Sequence, residues 1–231
     1  MASRAPAGVH GGVGGVHARG SERVPVAHPG RAHPSATGAD GAAVSGVKPR
    51  ANATAGAAAD AAVARLLETL RRSFDGGAWH GPSLREALDG CSAADAAAHP
   101  IAGAHSVWEL VLHAAAWADE VAARVGGARP GTPPAGDWPP VPDSADAAAW
   151  RAACGTLGAA RDRLLAAVAA VAPERLGQPL PAPNVEGEHA AADALGTRDT
   201  LHGTIIGLAE HNAYHGGQMV LLRRALAGRP A

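Results

Sequence analysis

Four stretches of the chain place apolar residues at intervals of three, four and seven, and no stretch alternates convincingly between apolar and polar. Such spacing builds helices, because 3.6 residues per turn gather these positions onto one stripe. The first helix is expected over 57–74, with Val63, Leu66, Leu67, Leu70 and Phe74 on its stripe and Gly76-Gly77 ending it. A loop, Trp79-His-Gly-Pro-Ser83, then leads to a short helical piece over 84–88 and a polar connector to Pro100. The second helix opens at Ser106, with Glu109 as its capping-box partner, and runs through Val107, Leu110, Val111, Ala114, Trp117, Ala118, Val121 and Val125 to Gly126-Gly127. The third is expected over 144–171, carrying Trp150, Cys154, Leu157, Leu164, Val168 and Val171, with Pro173 marking its end. The fourth, capped near Thr200, continues to about Ala227 with Leu201, Ile205, Leu208, His215, Met219, Leu222 and Leu226 in register. The six prolines between 128 and 143 exclude helix and a central strand there, and 173–198 is a second irregular connector. The expected fold class is therefore all-α, a four-helix bundle with long crossover connections, over residues 57–228.

Residues 1–56 form a separate low-complexity tail with no leucine, isoleucine or aromatic residue. A segment so poor in large apolar groups cannot offset its ordering entropy, so disorder is expected. Its histidines, His10, His17, His28 and His33, are irregularly spaced and read as solvated. A formal charge of −1 gives no electrostatic case for nucleic acid or an anionic membrane surface, and no run is long enough for a membrane span. Cys91 and Cys154 are too few for a disulfide framework, which suits a reducing compartment; a cytoplasmic location is expected. A small-molecule substrate is the expected partner, and a homodimer is allowed for.

The chemistry concentrates near the C-terminus, in His211-Asn-Ala-Tyr-His215-Gly-Gly-Gln218. Two histidines four apart lie about one turn apart on one helix face, here the apolar face shared with Leu208, Met219 and Leu222. A buried imidazole without a partner costs about 1–3 kcal/mol, and a shared metal ion satisfies both rings together. His113, at the edge of the second helix's stripe beside Leu110 and Trp117, can supply a third nitrogen if the two helices pack.

The His-x-x-x-His-x-x-Gln pattern, together with Trp79-His-Gly-Pro-Ser83 and His105-Ser-Val-Trp-Glu-Leu-Val-Leu-His113, resembles the DinB/YfiT-like metal-binding four-helix bundles, the bacillithiol and mycothiol S-transferase-like superfamily. The resemblance covers roughly residues 60–228. It implies His113, His211 and His215 as metal ligands, with Gln218 at the position of the glutamine that follows the pair. It also implies a low-molecular-weight thiol as cosubstrate in those members that are transferases or isomerases.

Three neutral nitrogens leave a divalent ion's full charge in place and a coordination position open for thiol or water. Zinc is the default for imidazole donors; nickel and iron also suit them. Three functions are expected in this order: a thiol-dependent S-transferase or isomerase, a non-catalytic metal-binding stress or sensor module, and a metal-dependent hydrolase. Glu109, one turn before His113, is a candidate general base, although its place fits a helix-capping carboxylate better. Glu210, next to His211, is expected to point elsewhere. His80 is read either as lining the pocket mouth beside Trp79 or as loop packing, His105 and His202 as solvated, and Tyr214 as packed at a helix interface ahead of a hydrogen bond to a ligand. Trp108, Trp117 and Trp150 are read as core, and Arg223 and Arg224 as complements of the helix dipole.

Overall fold

The computed structural model describes residues 50–143, 146–182 and 200–228. The tail expected to be disordered lies outside these residues up to position 49. Six α-helices are described: α1 (Arg50–Asp75), α2 (Leu84–Leu88), α3 (Ala93–Ala97), α4 (Val107–Val125), α5 (Ala147–Ala169) and α6 (Leu201–Ala227), with one 3-10 turn at Pro173–Arg175. Among these residues there is no strand, only an isolated antiparallel bridge between Pro179 and Thr200. No described helix is long and apolar enough to cross a membrane.

The four long helices form the bundle. Both α1 and α4 pack against α5 and α6, so each long helix has two long neighbours, while α2 lies against α6 and α1. The stripes meet at the centre: Leu66, Leu70 and Phe74 of α1, Leu157 and Leu164 of α5, and Ile205 and Met219 of α6 are all buried. Each such side chain contributes about 1.5–3 kcal/mol by leaving water. α4 is buried on most of its sides, including Trp108, Val111, Ala114, Ala115 and Ala118. Its many alanines let neighbouring helices approach from several directions, which places His113 inside the bundle.

The local signals explain most boundaries. The Ser106–Glu109 capping box closes as expected: the Ser106 amide donates to Glu109 Oε2 at 2.6 Å, and the Glu109 amide donates to Ser106 Oγ at 3.2 Å. At α6, Thr200 Oγ1 accepts from the Gly203 amide, while the amides of Leu201 and His202 donate to the carbonyls of Gln178 and Leu176. The first amides of that helix are thus satisfied by a cap and by the preceding connector. α1 begins earlier than expected, at Arg50, because its alanine-rich start favours helix without any apolar stripe to announce it. α3 was expected to be irregular; five residues behind the Ser92 cap suffice to form it, too few for a periodic signal.

The proline-rich connector after α4 is tied down by a buried ion pair. Arg124, 1 % exposed, donates from Nε to Glu120 Oε1 at 2.9 Å and from Nη2 to the Gly131 carbonyl at 3.0 Å. The Gly131 amide returns a hydrogen bond to Glu120 Oε1 at 2.9 Å. The connector is thereby held against α4 and carries Asp137 and Trp138 to the three histidines.

Candidate metal centre

His113 of α4 and His211 and His215 of α6 come together with their ligand atoms all within 4.8 Å of one another. Nε2 of His211 lies 2.9 Å from Nε2 of His113 and 3.1 Å from Nε2 of His215. The outer nitrogens fix the protonation pattern. Nδ1 of His113 faces the Asp137 carbonyl at 2.6 Å, and Nδ1 of His215 faces Gln218 Oε1 at 2.6 Å. Both oxygens can only accept, so both Nδ1 atoms carry the proton and both Nε2 atoms present bare lone pairs inward. Nδ1 of His211 is buried without a hydrogen-bond partner.

This donor set fits a cation. Two nitrogens bound tetrahedrally to one zinc ion about 2.05 Å away are roughly 3.3 Å apart, close to the spacing of the Nε2 atoms. Without an ion, at least two lone pairs converge on one point and a single His211 proton must serve both. Electrostatics keeps the rings neutral. Burial, then the neighbouring His215 and His113, pushes His211 down to about 3. Burial pushes His215 down to about 4, against the Gln218 hydrogen bond that raises it. Burial also lowers His113, against the hydrogen bond and charge of Asp137.

These shifts carry a stability consequence for the metal-free chain. The folded-state values of His211 and His215 lie below the ordinary 6.5, so the unfolded chain takes up protons that the folded chain refuses. Stability is therefore full above about pH 6.5 and falls as the pH drops towards 4. Calorimetric melting of metal-stripped protein at pH 7.5 and pH 5 should show the lower midpoint at pH 5, and a smaller drop in His211→Asn. Equal midpoints in the parent chain would contradict neutral buried rings.

Asp137 and Trp138 are the residues that sequence reasoning missed. Asp137 holds His113 through its carbonyl, and its Oδ1 accepts from Trp117 Nε1 at 2.7 Å. The Trp138 indole is stacked between two imidazoles, with His105 at 3.5 Å between ring centroids and His113 at 4.0 Å. The available signal was a tryptophan inside a proline-rich connector, where a large apolar ring needs a surface to cover. Gln218 acts as an orienting partner of His215. Gln218→Leu should weaken metal binding about 10–100-fold while leaving the helix formed, as read by metal titration and circular dichroism.

The remaining sequence candidates separate clearly. Glu109 is engaged in the capping box, with His99 Nε2 3.1 Å from its Oε2. His80 lines a different groove, with Trp79, Arg72 and Ala209. His105 is exposed yet stacked on Trp138, and His202 is exposed at the start of α6. Trp108 and Trp150 are core residues, whereas buried Trp117 also faces the site. Tyr214 is 65 % exposed instead of packed between helices of the bundle, because it lies on the outer face of α6. Glu210 is exposed and borders both this site's cavity and the Trp79 groove, off the face that carries His211 and His215.

That cavity, about 610 Å³, opens on the three imidazoles and is walled mainly by Trp117, Trp138, Val121, Leu208 and Tyr214. Arg124, Thr204 and Asp137 supply polar groups at its edge. An apolar pocket with a few convergent polar atoms is the usual form of a small-molecule site. No curated protein and no solved structure is significantly similar to the chain. The family model of the DinB superfamily matches residues 77–219, a span that contains all three histidines, the proline-rich connector and Gln218. With a helical bundle and a three-histidine cluster where that match falls, the chain belongs to the DinB superfamily, a metal-binding family.

Proposed function

We propose that the protein is a metal-dependent enzyme of the thiol S-transferase or isomerase type, with His113, His211 and His215 holding a divalent ion, zinc first among the candidates. The observation that carries this reading is the convergence of three neutral Nε2 atoms on the wall of an open cavity of about 610 Å³. A merely structural ion is usually enclosed by four protein donors, whereas three nitrogens beside a cavity leave room for a substrate. When bound, the ion supplies Lewis acidity, which lets a thiol or a water give up its proton at neutral pH.

The chain's own residues do the rest. Asp137 and Trp138 hold the His113 ring in place, and Gln218 does the same for His215. The Asp137 carboxylate, 3.4 Å from His113 Nδ1, partly offsets a cation's charge. Trp117, Trp138 and Leu208 line the cavity with apolar surface on the side where an electrophile would lie. In the transfer, the thiol loses its proton to solvent, a sulfur–carbon bond forms at the electrophile, and the carbon's bond to its leaving group breaks with the electron pair. In an isomerisation, the thiolate instead adds to a carbon–carbon double bond conjugated to a carbonyl, whose π pair moves onto the carbonyl oxygen; after rotation about the bond now single, the pair returns to re-form the double bond and the thiolate leaves.

The test is turnover by metal-loaded protein of low-molecular-weight thiols with a panel of electrophiles, beside simple esters. Thiol consumption that requires the ion supports the reading. Ester cleavage without thiol would make the protein a hydrolase, and stoichiometric metal with no turnover in any arm would make it a binding module.

A further inference from the structure

The polar groups that the cavity beside the histidines offers to a ligand are mostly hydrogen-bond acceptors. Thr204 is buried in its wall and gives its hydroxyl proton to the Thr200 carbonyl at 3.0 Å, so its Oγ1 can only accept from a ligand. The Asp137 side chain, half-exposed there, is a carboxylate whose Oδ1 already receives Trp117 Nε1 at 2.7 Å. Glu210 adds a second carboxylate at the rim. It is exposed and, among the described residues, has no ion pair and no side-chain hydrogen bond.

Charge has the same sense. Apart from the imidazoles, Arg124 is the one basic residue among the described residues that line the cavity. Its Nε donates to Glu120 at 2.9 Å and its Nη2 to the Gly131 carbonyl at 3.0 Å, with the guanidinium 5.4 Å from the centre of the Trp117 ring. That positive charge is countered inside the chain, whereas Asp137 and Glu210 leave the cavity's edge negative. An anionic ligand meets two like charges there, and a cationic one meets two opposite charges.

Tyr214 lies one turn beyond Glu210 on α6, and both border the cavity. A protonated amine beside them finds a carboxylate for its N–H groups and an aromatic ring whose quadrupole attracts its charge. The rest of the wall, with Trp117, Trp138, Val121 and Leu208, offers apolar surface in a volume of about 610 Å³.

We infer that the cavity takes an electrophilic substrate with an apolar body and a protonated amine, the amine held at the rim between Glu210 and Tyr214. Glu210 is then the residue that selects substrates by charge. The inference rests on the cavity being the substrate site, as in the function proposed above, and names the class of electrophile that enters it.

Calorimetric titration of the full chain with phenylbutylamine, phenylbutanol and phenylbutanoate tests this, with zinc loaded and with zinc removed. An ion attracts a carboxylate for reasons of its own, and ratios between parent and variant cancel that attraction. The parent should bind the amine about fivefold or more tighter than the alcohol. Glu210→Gln should bring these two together, and Glu210→Lys should shift the ratio of amine to carboxylate binding about tenfold or more towards the carboxylate. Because Glu210 is exposed, both variants should keep the circular dichroism of the parent. Equal binding of amine and alcohol by the parent, or a preference that survives Glu210→Gln, overturns the inference and leaves the proposed function standing. Failure of all three probes to bind overturns both, since the cavity is then no small-molecule site.

Discussion

Replacing His211 by Ala will strip the protein of stoichiometric metal while leaving the bundle folded. His211 is the middle ligand, with Nε2 2.9 Å and 3.1 Å from those of His113 and His215, so its loss leaves only two donors at the site. Dividing the about 10–16 kcal/mol of a four-ligand zinc site among its donors gives about 3 kcal/mol or more for one, roughly a hundredfold in affinity. Metal analysis after gel filtration reads this directly, with about one ion per chain in the parent and little in the variant. Thermal melting provides a second readout. An ion at a hundred times its dissociation constant stabilises the fold by about 2.7 kcal/mol, worth roughly 5–10 °C in a domain of this size. The parent chain should gain that shift on metal addition and His211→Ala should not. Unchanged metal content in the variant would remove His211 from the ligand set.

The second large effect is on stability and comes from Glu120. Its carboxylate faces the buried Arg124 guanidinium and also accepts from the Gly131 amide. Glu120→Ala takes the counter-charge from a cation that stays inside the protein. Breaking a buried pair from one side costs about 3–5 kcal/mol, or roughly 6–20 °C in the melting midpoint. The double change Glu120→Leu with Arg124→Met should recover much of this, since apolar residues of similar size often replace a buried pair without loss. The same pair anchors the connector that carries Asp137 and Trp138 to His113, so Glu120→Ala should also weaken metal binding. A midpoint within 2 °C of the parent would show that the anchor is dispensable.

The pattern of His113, His211 and His215 was legible because helical periodicity is a local property. Two residues four apart on a helix share a face whatever the helix packs against, and the apolar neighbours of His211 say that this face turns inward. Gln218, one turn beyond His215, lies in the same register and meets its Nδ1 as that register allows. Asp137 and Trp138 were not legible. They sit in an irregular connector, where no period ties sequence position to direction, and their contacts are with residues on two other elements. Tyr214 shows the same limit from the other side. A lone tyrosine among apolar helix positions reads as packed, and only the placement of every neighbouring helix reveals that its face is bare.

Spacing and stop signals along the chain determined four long helices, their caps and the three imidazoles able to meet, since each follows from interactions within a few residues. The tertiary structure decided which helices are neighbours, how the Glu120–Arg124 pair fastens the connector, and that a cavity opens beside the histidines. Those outcomes depend on contacts between residues far apart in sequence, whose geometry is set by packing the whole bundle at once rather than by any local rule.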